Sequence, residues 1–70
     1  MDRFRVIAIR KAQGLTQAAF AQALGVSPGH IGDVERGHRQ VSLNLAMQME
    51  ALTGQPIVAE FIAAKAERAA

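Results

Sequence analysis

Few residues in this chain have side chains suited to chemistry. Its 70 residues hold no cysteine, two histidines (His30 and His38), six acids and eight lysines and arginines. Without thiolates there is neither a disulfide framework nor a cysteine metal site. Two histidines without acidic or cysteine companions at ligand spacing do not make a zinc site, so no metal or cofactor is expected. Asp33 and Glu35 stand two apart. On a helix they diverge and cannot work as an acid–base pair. No phosphate-cradling glycine loop, nucleophile elbow or metal-hydrolase motif is present, and the reading is a protein that is not an enzyme. What remains is a short basic run, Arg36, His38 and Arg39. Arginine is the usual bidentate partner of guanine O6 and N7 and the usual clamp on a phosphate. The same run also fits a solvated loop.

The stretch that must position this run is 16–37. Thr16 is a good N-cap, and Gln17 to Leu24 are mostly strong helix formers. Gly25 can end that helix in the left-handed conformation that glycine enters cheaply. Ser27 caps a second helix with Pro28 at its first position, and Gly37 closes it. Phe20 and Leu24 form the apolar edge of the first helix, and Ile31 and Val34 that of the second. Val26 can plug the corner, and Ala21 is small where the helices cross. Two short helices joined through a glycine are the sequence form of a helix-turn-helix, although an ordinary αα-hairpin has the same spacing.

More specific is the series Gly14-Leu15-Thr16-Gln17, Phe20-Ala21, Leu24-Gly25-Val26-Ser27, Ile31 and Glu35-Arg36-Gly37. It closely resembles the Cro and phage-repressor (XRE-type) helix-turn-helix family, over about residues 5 to 54. The resemblance implies a lambda-repressor-like DNA-binding domain whose second motif helix enters the major groove with its N-terminal residues toward base edges. It places the base-reading positions at Pro28, Gly29, Gly32 and Asp33, beside Ser27 at the cap. This chain departs from its relatives there, since they often carry Gln, Ser or Arg. Pro28 can touch a thymine methyl, and Asp33 can accept from cytosine N4, orient Arg36, or repel phosphate and so sharpen specificity. Gly29 and Gly32 either let the backbone approach the groove or are merely tolerated. His30 can donate to a phosphate or a base. Arg36, His38 and Arg39 come to the mouth of the groove. Gln17, at the start of the helix that crosses the backbone, is implied to hold a phosphate. Arg10 and Glu35 resemble the pair that ties the first helix to the end of the recognition helix, which gives Glu35 a structural role.

The rest of the chain reads as helix throughout. Asp2 caps a first helix to about Gln13, with Val6 and Ile9 on one apolar edge and Phe4, Ile7 and Ala8 on a second; the resemblance implies that Val6 and Ile9 face the core. That second edge is either covered by the C-terminal segment or used between subunits. Ser42 caps a fourth helix over 43–53 with a Leu45, Met49, Leu52 stripe. Pro56 opens a fifth helix, 56–68. The expectation is an all-α, five-helix, single domain over 1–70. Gly29-His30-Ile31-Gly32 has the GxxG form of KH domains, but no strand pattern exists to build their sheet.

Composition bounds the function classes. A formal net charge of +2 says little by itself about nucleic acid. Three phenylalanines without Trp or Tyr argue against stacking platforms for single strands or RNA. No apolar run approaches the roughly 18 residues of a membrane span. The N-terminus is charged from Asp2, which argues against a signal peptide, so no membrane role and a cytoplasmic place are expected. So small a core often leans on oligomerisation. The expected dimer interface is Ile57, Val58, Phe61, Ile62 and Lys65 of the fifth helix, with Phe61 and Ile62 central. The functional expectation is a homodimeric repressor or autorepressor on an inverted-repeat operator of a phage or mobile-element promoter. The alternative is an antitoxin that binds a toxin protein and its own promoter.

Overall fold

The structure is a computed structural model that describes residues 1–69, with side chains through Glu67. Five helices follow in order: α1 (Arg3–Ala12), α2 (Gln17–Leu24), α3 (Pro28–Arg36), α4 (Leu43–Thr53) and α5 (Ile57–Ala69). Among the described residues there is no strand, and the fold is the all-α, five-helix arrangement of the lambda-repressor-like domain. Four helices start the same way. Asp2, Thr16, Ser27 and Ser42 each accept a hydrogen bond from the backbone N–H three residues on. Each cap supplies a partner for an N–H that the helix itself leaves orphaned.

Helix α5 starts differently. Pro56 stands one place outside it, and its carbonyl accepts from Glu60 N at 3.2 Å. Proline has no side-chain acceptor, so the cap comes from another helix: Glu50 Oε1 of α4 accepts from Val58 N at 3.0 Å. Arg5 fastens α5 from the other side. Its Nε and Nη2 donate to the two carboxylate oxygens of Glu60, the latter at 3.0 Å, and Nη2 also donates to Gln55 Oε1 at 3.2 Å.

The core takes one face from each helix. Val6 and Ile9 of α1, Phe20, Ala21 and Leu24 of α2, and Ile31 and Val34 of α3 pack with Leu45, Ala46 and Met49 of α4 and Ile57 and Phe61 of α5. Burying each large apolar side chain contributes about 1.5–3 kcal/mol. Ala21 is fully buried, as is Phe20 beside it, and Val26 packs on the core from the turn. The second apolar edge of α1 is left open by the C-terminal segment. Phe4 is 64% exposed, with the Arg3 guanidinium 4.7 Å from its ring centre.

The fifth helix divides its apolar residues between two faces. Ile57 and Phe61 are four apart and point inward, where they are buried in the core of the chain itself. Val58 is half-buried against the core, Ile62 is exposed, and Lys65 is exposed with Nζ 5.5 Å from the Phe61 ring centre. Ile62 adjoins Leu43, Met47, Ala51 and Val58 along an open apolar groove of about 700 Å³ between α4 and α5. Among the described residues no helix is long and apolar enough to cross a membrane.

Candidate nucleic-acid interface

Helix α2 ends at Gly25, whose φ of 74° is in the left-handed region. Gly25 N donates to Gln22 O and Val26 N to Ala21 O, closing the C-terminal carbonyls. The chain then turns through Ser27, whose hydroxyl oxygen accepts from His30 N at 3.1 Å. Pro28 occupies the first turn of α3, where its missing N–H costs nothing. The geometry of this corner sets the angle of α3, and Ile31 and Val34 hold it against the core.

The opposite side of α3 is turned out. Ser27, Pro28, Gly29 and Arg36 are exposed, and His30 and Asp33 are half-buried. Residues 29, 32, 33 and 36 share one face at helical spacing. Gly29 leaves that face bare: a Cβ there would meet nothing nearer than Ser27 Oγ at 4.0 Å. Gly32 is buried, because the Arg36 side chain lies over it. Arg36 Nη2 donates to Asp33 Oδ1 at 2.8 Å. Of the sequence possibilities for Asp33, the contact with Arg36 is present in the chain without DNA.

The end of α3 projects the basic run. Gly37 has φ 81°, its N–H donates to Val34 O, and His38 N donates to Asp33 O at 2.9 Å. This left-handed exit sends His38 and Arg39 out into solvent. Arg3 joins them, with Nη1 donating to the Arg36 carbonyl at 3.3 Å and Cδ 3.5 Å from where a Gly37 Cβ would stand. A cation at a helix C-terminus suits the negative end of the helix dipole. Sequence reasoning missed Arg3, because nothing local connects the start of α1 with the end of α3.

One buried cluster fixes α3 to α1 and α2. Arg10 Nε donates to Glu35 Oε2 at 2.7 Å and Nη2 to Oε1 at 3.1 Å, while Nη1 donates to Leu15 O at 2.9 Å. The Glu35 side chain is only 5% exposed and that of Arg10 15%. Gln17 Nε2 also donates to Glu35 Oε1, at 3.1 Å. One of the two N–H donors of the amide implied for a phosphate is thus engaged within the chain, while Gln17 itself is exposed beside the N-terminal end of α2. Among the described residues no buried side-chain nitrogen or oxygen lacks a partner, and no three His, Cys, Asp or Glu side chains gather as a metal site.

The sequence model of the helix-turn-helix family matches residues 6–58. A curated protein of Bacillus subtilis described as an uncharacterized HTH-type transcriptional regulator, YazB, is 51% identical over 35 residues. That alignment takes in 50% of this chain and 51% of the relative, so the chain spans about half the length of the curated relative it matches. No solved structure matches the chain.

Proposed function

The chain belongs to the helix-turn-helix family of the XRE type, and on that premise we propose that it is a sequence-specific, duplex-DNA-binding transcription regulator. It binds as a homodimer and represses a promoter, in the cytoplasm, by occupying an inverted-repeat operator of a phage or mobile element. One observation supports the reading above the others. The outer face of α3 is open over its first turn, runs into exposed Arg36, His38 and Arg39, and is held rigid from behind by the Arg10–Glu35 cluster.

In this reading α3 lies in the major groove with Pro28 and Gly29 nearest the bases. Gly29 leaves that turn bare on the groove side, and Pro28 meets a thymine methyl. Ser27, His30, His38, Arg39 and the N-terminal end of α2 take phosphates, which fix register without reading sequence. One such helix covers too few base pairs to single out a site in a genome. A two-fold dimer reads two half-sites about one helical turn, roughly 34 Å, apart. The groove of Leu43, Met47, Val58 and Ile62 favours a second copy as its occupant, because three of these four large apolar side chains stay about half exposed in the single chain.

The test is selection from a random duplex library, followed by anisotropy titration of the enriched duplex at several salt concentrations. Each neutralised phosphate adds about −0.9 to the slope of log K against log salt, so several contacts per subunit give a steep dependence. Failure to enrich any duplex, or a slope near zero, overturns the proposal. Light scattering that finds a monomer both free and on the enriched duplex overturns the dimer.

A further inference from the structure

Three of the residues on the outer face of α3 touch one another. Arg36 folds back along the helix and donates from Nη2 to Asp33 Oδ1 at 2.8 Å. A Cβ at Gly32 would lie 3.3 Å from Arg36 Nη1, 3.5 Å from Nη2 and 3.6 Å from Cζ. These nearly equal distances lay the guanidinium plane over the bare α-carbon of Gly32. A Cβ at 32 would displace it by a few tenths of an ångström, and a longer side chain by more.

We propose that Asp33 is a positioning residue which, with the bare surface of Gly32, aims Arg36 at the O6 and N7 of one guanine in each half-site. The inference rests on the duplex-DNA reading and deepens it, since it names the base that this helix selects. A free arginine has five donors on a flexible stem and will accept a phosphate as readily as a base. Held between Asp33 and the Gly32 backbone, Arg36 keeps donors to spare but loses its reach to the phosphates. The pair contributes little to folding, because the two side chains are 61% and 40% exposed and such surface pairs are weak. Its value comes on binding, when the groove replaces water around it and the attraction strengthens. Asp33 also carries a charge of the same sign as DNA, so it disfavours any pose in which Arg36 is drawn off elsewhere.

The experiment compares the unmodified chain, Asp33→Asn, Gly32→Ala and Arg36→Ala, by duplex selection and by anisotropy with 7-deazaguanine, which lacks N7. The unmodified chain should enrich one guanine per half-site and lose about tenfold in affinity when it becomes 7-deazaguanine, within the range of a bidentate contact. Arg36→Ala should lose the preference. For Asp33→Asn the 7-deazaguanine penalty should fall by about fivefold, while affinity for unrelated duplex rises. Gly32→Ala should melt no lower than the unmodified chain, since alanine favours a helix over glycine, yet lose the same selectivity. A purely structural Asp33 would move melting and would leave base choice alone. If Asp33→Asn keeps the full penalty, or weakens all duplexes equally, the inference is wrong while duplex binding stands. If the unmodified chain enriches no duplex, both fail together.

Discussion

Replacing Glu35 by Ala tests how α3 is held. The substitution removes the acceptor of three donors, Arg10 Nε, Arg10 Nη2 and Gln17 Nε2. Arg10 would keep its bond to Leu15 O but lose its counter-charge at a place only 15% exposed. Breaking a buried pair on one side costs about 3–5 kcal/mol. The retained bond and partial exposure put this case near the low end, about 3 kcal/mol. A chain of this length has a total stability of about 4–10 kcal/mol. In a domain this small each kcal/mol moves the melting temperature by about 4–8 °C. Glu35→Ala should therefore melt roughly 12–24 °C lower. Urea unfolding followed by helical circular dichroism should show a lower midpoint with an unchanged slope. The double variant Arg10→Met with Glu35→Leu should recover most of the loss, because an apolar pair removes the stranded charge. A loss below about 1 kcal/mol for Glu35→Ala would refute the reasoning. So would a double variant as unstable as the single one.

The two faces of α5 should respond in opposite ways. Ile57→Ala empties a fully buried site and should cost about 2–5 kcal/mol in urea unfolding, whereas Ile62→Asp, on an exposed site, should leave the chain folded and, by light scattering, monomeric where the proposed dimer would otherwise form. The hydrogen bonds from Arg5 hold the Glu60 carboxyl below the usual carboxylate range. A lowered native value means that the stabilisation is present above the ordinary pKa and is lost as pH falls through the native one. Glu60→Gln should thus be less stable than the unmodified chain near neutrality, by no more than about 1 kcal/mol for so exposed a pair, and the difference should vanish in acid. Arg39→Ala should weaken duplex binding and make its salt slope shallower by about 1, since it removes the phosphate contact proposed for this residue.

Helix limits were legible where the signals are local. A capping oxygen and the N–H three residues on lie in one turn, so Asp2, Thr16, Ser27 and Ser42 announce their helices from the sequence. The start of α5 was displaced by one residue because its cap, Glu50, belongs to another helix. The apolar stripe of α5 showed that the helix must be covered but not by what. Residues 57 and 61 turned inward and 62 outward, with 58 half-buried at the edge of the groove, a choice set by the packing of α5 on α4. Leu43 and Met47 stand four apart beside that groove, a second stripe on α4 that the Leu45, Met49, Leu52 pattern overshadowed. At the interface, the α3 face followed from helical spacing. The engagement of Gln17 with Glu35, 18 residues away, is tertiary and leaves no trace in local pattern. The same holds for Arg3 on the Arg36 carbonyl.

The central claim is that the first turn of α3 enters the major groove of duplex DNA. The absence of cysteine from the chain makes a single-site probe straightforward. Gly29→Cys places a thiol on the exposed face, where a Cβ meets nothing closer than 4.0 Å. Carrying an iron chelate there, the protein on its selected duplex should cut both strands in the pattern of a major-groove source, once in each half-site. The same chelate on Ala63→Cys, on exposed α5, should cut far less. Cleavage from position 63 with none from position 29, or a minor-groove pattern from position 29, would contradict the account.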